Sequence, residues 1–468
     1  MGDLTSIFKA YDIRGIVPDQ LDEGVAEAVG AAFAAVTGAK KILTVHDMRA
    51  TSERLADAFG RGAAAQGTDV LAAGLGSTDM LYYGSGDLGI PGAMITASHN
   101  PPEYNGIKLC RAGAKPVGIE TGLLDIKDLA ERSLVPAPAP GHVSRLDLLP
   151  GYADYLRKLV DISTIRPLTV AVDAGNGMAG YTVPEVLEGL PITLVPLYFE
   201  LDGTFPNHEA NPIQPENLRD LQRAVTEHHA DIGLAFDGDA DRCFVVDERG
   251  QLVSPSVLTA LIATRELARE PGATVIHNLI TSRAVPQIIT EQGGIPVRTR
   301  VGHSFIKAKM AETGAVFGGE HSGHFYFRDF WFADSGMLAA LHTLAALGGQ
   351  PGPLSQLLAE YSRYYASGEI NSRVTDQAAA TAQVKAAFAA RPGVSTDELD
   401  GLTVATSGWW FNLRPSNTEP LLRLNVEADT EATMAALRDE VLGLVRAGLV
   451  RADQVRPAAT GGQASKDI

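Results

Sequence analysis

The sequence predicts an α/β fold in which three similar mixed domains and a smaller C-terminal α+β domain surround one cleft. Helix-like and strand-like patterns alternate along most of the chain. Strand-like runs end three times in a polar, glycine-containing loop. The 468 residues also exceed the roughly 250 to 300 at which one core stops growing, so several domains are needed.

The first predicted domain covers residues 1–148. Glu23–Thr37 is rich in alanine and carries apolar residues at helical spacing, and Lys41–Val45 follows as a strand. Leu134–Gly141 contains three prolines among small residues, which cannot continue a helix. This stretch predicts the approach to a domain boundary.

The second predicted domain covers residues 149–252. Its strand Leu168–Val172 runs into the glycine-rich turn Asp173–Gly180. Without a lysine or a dinucleotide fingerprint, this turn is better interpreted as a tight strand-to-helix connection than as a phosphate loop. The strand Cys243–Val246 closes the domain.

The third predicted domain covers residues 253–367. The strands Ala273–Ile276 and Ala315–Phe317 lie on either side of a helix that begins after Thr281. This alternation repeats the pattern of the first two domains.

The fourth predicted domain, residues 368–456, differs from the others. Helices at Ala378–Ala390 and Thr430–Ala447 accompany short strands such as Leu421–Val426, which is typical of an α+β domain. Residues 457–468, rich in small and polar residues, are predicted to form a disordered tail.

Composition limits the classes of partner. The chain has 56 acidic and 39 basic residues and a formal charge of -17, so it repels nucleic acids and anionic membranes, and neither is expected to bind. A small anionic substrate is still compatible with this net charge, because cationic side chains in a cleft attract it at short range while more distant charges are screened. Cys110 and Cys243 lack metal-ligand spacing, and no signal peptide or membrane span is apparent. We expect a cytoplasmic monomer or weak homodimer.

The segment Thr96-Ala-Ser98-His-Asn-Pro-Pro102 places a serine at a strand end, before a histidine, an amide and two prolines. Such a serine is a candidate nucleophile or phosphate carrier, and a polar turn is the alternative. The Gly-x-Ser-x-Gly elbow of esterases is missing, so a serine hydrolase is poorly supported.

The segment Asp237-Gly-Asp239-Ala-Asp241-Arg242 carries three carboxylates at alternate positions, between two apolar strands. Hard carboxylate oxygens in one loop predict a divalent-cation site, with Mg²⁺ the expected ion. A calcium EF-hand requires glycine where Arg242 stands and helices on both sides, so it is disfavoured. A haloacid-dehalogenase-like phosphatase with Asp237 as nucleophile stays as the alternative mechanism.

Two further segments predict recognition of a sugar phosphate. Gly318-Gly-Glu320-His-Ser322-Gly-His324 offers a carboxylate and a hydroxyl that suit sugar hydroxyl groups. In Arg414-Pro-Ser416-Asn417-Thr418, a guanidinium, two hydroxyls and an amide form a compact phosphate cradle. His324 and His303 are candidates for proton transfer or phosphate binding.

Together the four motifs resemble the α-D-phosphohexomutase superfamily, whose serine, metal, sugar and phosphate loops occur in this order. The resemblance extends from Phe8-Lys-Ala-Tyr-Asp-Ile-Arg-Gly15 to about residue 456. It is nearest to the bacterial phosphomannomutase/phosphoglucomutase branch. A phosphoglucosamine mutase, which more often has Gln where His321 stands, is an alternative.

The resemblance implies interconversion of hexose 6-phosphate and hexose 1-phosphate, with mannose favoured and glucose also possible. Ser98 would carry the phosphate, and a bound hexose 1,6-bisphosphate would be the intermediate and activator. The implied Mg²⁺ ligands are Ser98, Asp237, Asp239 and Asp241. The implied catalytic residues are Ser98, Lys108, Arg242 and His324, with Lys108 and His324 as the proton-transfer candidates. The implied substrate-binding residues are Tyr11, Arg14, His303, Glu320, Ser322, Arg414, Ser416, Asn417 and Thr418.

A phosphatase that releases inorganic phosphate and a protein that binds sugar phosphate without turnover are the alternatives outside the mutase class. Phosphoryl transfer requires positioning and charge neutralisation, and the combination of Mg²⁺, Arg242 and Lys108 would provide both. The four motifs together therefore favour the mutase.

Overall fold

The structure is a computed structural model that describes residues 2–132, 134–416 and 421–453. The chain divides into two compact units, unit 1 (Met1–Ser362) and unit 2 (Arg363–Ile468). Unit 1 contains three β-sheets with helices against them, and unit 2 contains one sheet. The two units are described separately.

The first sheet of unit 1 has seven strands, in the order β1-β5-β4-β2-β3-β7 with β6 paired to β5. The strands are β1 (Ile13–Ile16), β2 (Lys41–His46), β3 (Asp69–Leu75), β4 (Gly92–Ile95), β5 (Tyr104–Arg111), β6 (Lys115–Pro116) and β7 (Val143–Arg145). The helices are α1 (Glu23–Thr37), α2 (Ser52–Ala65), α3 (Thr78–Leu88) and α4 (Leu123–Ala130). Strands β2, β3, β4 and β7 are parallel, and β5 is antiparallel to its neighbours.

The second sheet has five strands in the order β12-β11-β10-β8-β9. The strands are β8 (Leu168–Asp173), β9 (Ile192–Leu197), β10 (Ile232–Phe236), β11 (Cys243–Asp247) and β12 (Leu252–Val253). The helices around it are α5 (Leu149–Leu159), α6 (Ala179–Leu187) and α7 (Arg219–Glu227). Strand β8 is parallel to β9 and β10, whereas β11 is antiparallel to β10.

The third sheet repeats this topology in the order β14-β13-β15-β16-β17. The strands are β13 (Thr274–Asn278), β14 (Ile295–Thr299), β15 (Phe317–Gly319), β16 (Phe325–Phe327) and β17 (Ala333–Asp334). The helices that follow the second sheet in the chain are α8 (Pro255–Arg269), α9 (Ala284–Glu291), α10 (His303–Thr313), α11 (Gly336–Gly348) and α12 (Leu354–Leu358).

In each of the three sheets, four consecutive strands of the chain are arranged in the same way. The first is central, the second and third lie parallel to it on its two sides, and the fourth lies antiparallel to the third. Strands β2 to β5, β8 to β11 and β13 to β16 occupy these four positions. The connections β4–β5, β10–β11 and β15–β16 are therefore equivalent. All three predicted functional loops of unit 1 lie in this connection.

The described residues of unit 2 form one antiparallel sheet in the order β18-β22-β21-β20-β19 and two helices. The elements are β18 (Tyr365–Arg373), α13 (Gln377–Ala389), β19 (Ser395–Asp397), β20 (Leu402–Ala405), β21 (Trp409–Pro415), β22 (Leu421–Ala428) and α14 (Glu431–Asp453). Apolar side chains from both helices and the sheet form one core, which includes Val384, Phe388, Phe411 and Val441. Unit 2 thus has the α+β organisation predicted for the fourth domain.

The predicted fold class of three mixed α/β domains and a smaller α+β domain is confirmed. Helix α1 has the predicted bounds because the Asp22 side chain caps its first turn and Gly38 ends it in the left-handed conformation. Strand β15 begins two residues later than predicted, because its pairing to β13 starts at Phe317. The predicted tail, residues 457–468, lies outside the described residues.

Both cysteines are free and buried, and burial raises the pKa of each thiol. Cys110 lies on β5 and Cys243 on β11, which are equivalent strands of two sheets. Among the described helices, none has the length and apolar content required to cross a bilayer.

Candidate active site

The acidic loop between β10 and β11 lies at the centre of the site. Carboxylate oxygens of Asp237, Asp239 and Asp241 lie within 4.8 Å of one another, and all three side chains are buried. Burial raises the pKa of Asp237 to about 6, although the Arg242 guanidinium opposes this shift. Three buried carboxylates this close together create a strong demand for positive charge.

The donor set of this loop fits a hard divalent cation. Asp239 Oδ1 and Asp241 Oδ1 are buried and accept no hydrogen bond of normal geometry from any residue the structure describes, and the neighbour of Asp241 Oδ1 is His324 Nε2 at 3.5 Å. Buried carboxylate oxygens without donors are costly unless they coordinate a cation. The three aspartates of the loop therefore fit the Mg²⁺ site predicted from the sequence.

Ser98 from the β4–β5 connection faces this loop. Its Oγ donates a hydrogen bond to Asp237 Oδ2 at 2.8 Å and lies 3.1 Å from His99 Nδ1. Ser98 has φ 51°, an unfavourable left-handed conformation for a residue with a side chain. A Cβ at Gly238 would lie 2.4 Å from the Ser98 carbonyl oxygen, so only glycine permits this approach of the two loops.

Lys108 and Arg242 balance the carboxylates. Lys108 Nζ lies 2.6 Å from Asp239 Oδ2 and 2.6 Å from Asp241 Oδ2. Burial lowers the pKa of Lys108, but the two carboxylates outweigh it and the net shift is upward. Arg242 Nε donates to Asp237 Oδ2 at 2.9 Å. Two cations thus face the three carboxylates of the loop, which leaves one negative charge in excess.

The β15–β16 connection joins the site through His324. His324 Nε2 lies 3.5 Å from Asp241 Oδ1, and Ser322 Oγ lies 3.0 Å from His324 Nδ1. Burial lowers the pKa of His324, but the contact with Asp241 outweighs it and raises the value overall. A protonated His324 next to the acidic loop can donate a proton to a bound oxygen.

Glu320, predicted to bind sugar hydroxyls, is buried and already accepts protein hydrogen bonds. Tyr326 donates its hydroxyl to Glu320 Oε2 at 2.7 Å, and the Gly302 N–H donates to Oε1 at 3.1 Å. Asn278 Nδ2 lies 3.4 Å from the same oxygen. The carboxylate is therefore fixed in position and can offer its remaining acceptor capacity to a ligand.

The predicted N-terminal site residues lie near the same region. Arg14 Nη1 donates to Asn100 Oδ1 at 2.5 Å, and its other terminal nitrogen pairs with Asp12. The Tyr11 hydroxyl lies against Gly302, the residue before α10. His303 is the first residue of α10, and its side chain lies outside the described atoms.

In unit 2 the structure describes Arg414 and Ser416 of the predicted phosphate cradle. Arg414 Nη2 lies 3.5 Å from Glu369 Oε2, and Arg423 Nη1 lies 3.5 Å from Glu369 Oε1. The Ser416 N–H donates to the Leu421 carbonyl oxygen at 2.8 Å. Asn417 and Thr418 lie outside the described residues.

Sequence reasoning missed three residues that support the site. Thr78, at the start of α3, donates its hydroxyl to Asp239 Oδ2 at 2.5 Å and its N–H to the Asp239 carbonyl oxygen at 3.0 Å. Asp79 accepts hydrogen bonds from Tyr152 and Ser335, both at 2.7 Å. The third is Arg49, whose guanidinium contacts the Ser98 loop. The available signal for Arg49 was its position in the short polar loop that follows β2.

A cavity of about 720 Å³ lies beside Tyr11, between the β5–β6 region and α10. Its walls are mainly apolar and include Val117, Phe305 and Trp331. Ser98 and the three aspartates do not line it. The chemistry of the three loops is thus located outside this cavity.

Comparisons with known proteins agree with this geometry. Four family models match, described as phosphoglucomutase/phosphomannomutase alpha/beta/alpha domains I, II and III and C-terminal domain, at residues 5–132, 150–250, 254–364 and 369–444. An Escherichia coli phosphomannomutase is 41% identical over 453 residues, covering 94% of this chain and 99% of the relative. A Xanthomonas campestris protein named for phosphohexose mutases is 42% identical over 445 residues, covering 94% and 99%.

A solved structure of a phosphoglucomutase/phosphomannomutase family protein from Burkholderia thailandensis has a TM-score of 0.85 and 32% identity. The match covers 95% of this chain and 98% of that one. Matches over nearly the whole chain establish a phosphotransferase mutase that acts on hexose phosphates. The chain is a phosphohexomutase and belongs to the phosphoglucomutase/phosphomannomutase family.

Proposed function

We propose that the chain interconverts hexose 6-phosphate and hexose 1-phosphate with Ser98 as the phosphate carrier, and that mannose phosphate is its main substrate. One observation carries the proposal: Ser98 Oγ lies 2.8 Å from Asp237 Oδ2 of the buried acidic loop. The hydrogen bond and the left-handed backbone of Ser98 hold the hydroxyl next to the acidic loop, where charge would develop during phosphoryl transfer.

Two transfers make up the reaction. The free hydroxyl oxygen of a hexose monophosphate forms a bond to the phosphorus of phospho-Ser98, the bond from phosphorus to Ser98 Oγ breaks, and the hydroxyl proton leaves to a base. The product is a hexose 1,6-bisphosphate. After the bisphosphate turns around, Ser98 Oγ attacks its other phosphate and the sugar oxygen regains a proton.

Asp237, Asp239, Asp241 and the oxygen of Ser98 would hold Mg²⁺, which would neutralise negative charge on the transferring phosphate. Arg242 and Lys108 supply fixed positive charge at the same place. Lys108 is held in its charged form by two carboxylates, which makes it a better electrostatic stabiliser than a base. His324 is the stronger candidate for proton transfer.

We assign the sugar hydroxyls to Glu320 and Ser322, and the phosphate that is not reacting to Arg414, Ser416, Asn417 and Thr418. Tyr11, Arg14 and His303 complete the substrate-binding set. Because the bisphosphate has to bind in two orientations, recognition through hydrogen bonds to hydroxyl groups suits the reaction better than a pocket shaped to one end. We further propose domain boundaries at residues 148, 252 and 367, a cytoplasmic location, and a monomer or weak homodimer.

The test incubates mannose 1-phosphate with the protein, Mg²⁺ and a trace of hexose 1,6-bisphosphate, followed by phosphorus NMR. We expect mannose 6-phosphate and no accumulation of inorganic phosphate, and we expect Ser98→Ala to abolish turnover. Release of inorganic phosphate without isomer would favour a phosphatase, and full activity of Ser98→Ala would exclude the carrier role. Parallel rates with glucose 1-phosphate and glucosamine 1-phosphate measure sugar preference.

A further inference from the structure

Arg49 lies in the loop that follows β2. Strands β2 and β4 are parallel neighbours, so the loops at their carboxyl ends meet at the same edge of the sheet. The second of these loops carries Ser98. The Arg49 side chain is 1% exposed, although Arg49 belongs to none of the four motifs of the site.

The guanidinium of Arg49 donates to four backbone carbonyl oxygens of the Ser98 loop. Nη2 donates to the carbonyls of Ser98 (2.8 Å) and Asn100 (2.6 Å), and Nη1 to those of Pro101 (2.8 Å) and Tyr104 (3.0 Å). The two terminal nitrogens have four N–H groups in total, so each of the four carbonyls can accept one of them. The remaining N–H, on Nε, lies 3.3 Å from Asp47 Oδ2.

Asp47 and the connection that carries Phe205 hold the backbone and the guanidinium of Arg49 in place. Asp47 Oδ1 accepts hydrogen bonds from the Arg49 N–H at 3.0 Å and from Ser52 Oγ at 2.5 Å. The Phe205 ring, from the connection between β9 and α7, covers the guanidinium at 5.0 Å. A Cβ at Gly203 would lie 2.5 Å from Arg49 Cα, so this connection packs directly on the Arg49 backbone.

The Ser98 loop depends on these bonds for its shape. Ser98 has φ 51°, and its N–H donates to the Thr96 hydroxyl at 2.9 Å. Without Arg49, its four carbonyl acceptors would lose their charged donor, and of the four only the Pro101 carbonyl has a second backbone donor among the described residues, the Tyr104 N–H at 3.1 Å. The loop would then relax toward backbone conformations that turn Ser98 away from Asp237.

We propose that Arg49 is a positioning residue for phosphoryl transfer, which fixes the backbone of residues 98–104 so that Ser98 Oγ faces Asp237. This inference rests on the proposed carrier role of Ser98. Arg49 acts through the loop, because its donors point at protein acceptors and its side chain is buried.

The test compares Arg49→Lys with wild type and with Arg54→Lys, a matched change at an exposed arginine of α2. Lysine keeps the charge, but three donors on one nitrogen cannot serve four carbonyls. We expect kcat to fall about 10- to 100-fold with KM within about threefold, because displacing a reacting group by 1 Å costs about that much. Hydrogen exchange of peptides covering residues 97–106 should become about tenfold faster, with α1 unchanged. Arg54→Lys should match wild type in both measurements.

Wild-type kcat in folded Arg49→Lys would overturn the proposal. So would faster exchange across the whole of the first sheet, which indicates general destabilisation, or a rise in KM at constant kcat. If Arg49→Lys does not fold, Phe205→Leu provides the test, since Phe205 is half-buried and outside the sheets. We expect about threefold lower kcat and faster exchange at residues 97–106, and unchanged values for both would overturn the proposal.

The carrier role itself is checked separately by mass spectrometry of phospho-Ser98 in wild type and by the activity of Ser98→Ala. An active Ser98→Ala would refute the carrier role and with it the assignment of Arg49 to phosphoryl transfer, whereas the exchange measurement would still show whether Arg49 holds the loop. An inactive Ser98→Ala with a fully active Arg49→Lys would refute the Arg49 proposal alone.

Discussion

The β10–β11 and β15–β16 connections occupy the same place in two sheets of the same topology, yet they differ in burial and in charge. In the first connection, Asp237, Asp239 and Asp241 are buried and are matched by Arg242 and Lys108. In the second, only Glu320 carries a negative charge, and its neighbours His321 and Ser322 are half-buried.

The residues at the ends of the neighbouring central strands also differ in charge. The central strand β8 ends in Asp173, which contacts His208 Nε2 at 3.0 Å, and the turn after it donates the Met178 N–H to the Gly238 carbonyl oxygen. The central strand β13 ends in Asn278, whose uncharged amide approaches Glu320. One scaffold position thus provides a charged centre in one domain and, in the other, a hydrogen-bonding loop in which Glu320 is buried and His321 and Ser322 are half-buried. The first suits phosphoryl transfer, and the second suits a ligand that binds in two orientations.

The largest effect should come from Asp239→Asn. Removing one charge from the acidic loop weakens cation binding, and we expect kcat to fall at least about 100-fold because electrostatic stabilisation of the transferring group is lost. The protein should remain folded, since Lys108 still pairs with Asp241. Turnover during a Mg²⁺ titration measures the effect, with Glu227→Gln on exposed α7 as the control. An unchanged Mg²⁺ dependence would remove Asp239 from the site.

A smaller and different effect is expected for Glu320→Gln. The change removes a charged acceptor for sugar hydroxyls, so KM should rise about 10- to 30-fold, equivalent to about 1.5 to 2 kcal/mol for a hydrogen bond to a charged group. Steady-state kinetics with mannose 1-phosphate tests this, and Glu312→Gln on α10 is the matched control. If kcat falls as strongly as in Asp239→Asn, the contrast between the two connections is wrong.

Ser322→Ala should produce a smaller change in the same direction. The variant loses one neutral hydroxyl, and we expect KM to rise about fivefold, equivalent to about 1 kcal/mol. The pH profile of kcat should also shift slightly, because Ser322 Oγ lies 3.0 Å from His324 Nδ1. A wild-type KM would show that Ser322 does not contact the sugar.

The smallest effect concerns His208 beneath the acidic loop. Burial lowers the pKa of His208, but the hydrogen bond with Asp173 outweighs it and the net shift is upward. The stabilisation by the His208–Asp173 contact is therefore complete below the unfolded-state pKa of about 6.5 and is lost as pH rises through the folded-state pKa. His208→Gln should lower the unfolding free energy by roughly 1 kcal/mol at pH 6 and by less at pH 9.

Calorimetry at both pH values tests this prediction, with His228→Gln at the exposed end of α7 as the control. If His208→Gln lowered the unfolding free energy more at pH 9 than at pH 6, the predicted pH dependence would be wrong. Asn278, at the end of β13 that corresponds to Asp173, has an amide that does not titrate, so it adds no pH dependence of its own.

Much of the fold and site could be predicted from local sequence. The bounds of α1 follow from the Asp22 cap and Gly38, and the acidic loop was placed between strands because apolar runs border Asp237 and Arg242. Thr78 and Arg49 were missed because their partners lie 161 and about 50 residues away and are brought near only by the topology. Local patterns do not contain the strand order that creates these contacts.

The strand order also has consequences for synthesis of the chain. The third sheet is complete at Asp334, and each of the first three sheets uses strands from a continuous stretch, so each can form soon after its last strand is made. Two edge strands pair late: among the described residues, β1 gains its partner strand β5 only once residue 104 has been translated, and β18 gains β22 only once residue 421 has been translated. Each delay is several seconds at roughly 5 to 20 residues per second. Ser98 meets Asp237 only 139 residues after it is made. The residues of the site are therefore brought together in stages as the chain is synthesised from its N-terminus.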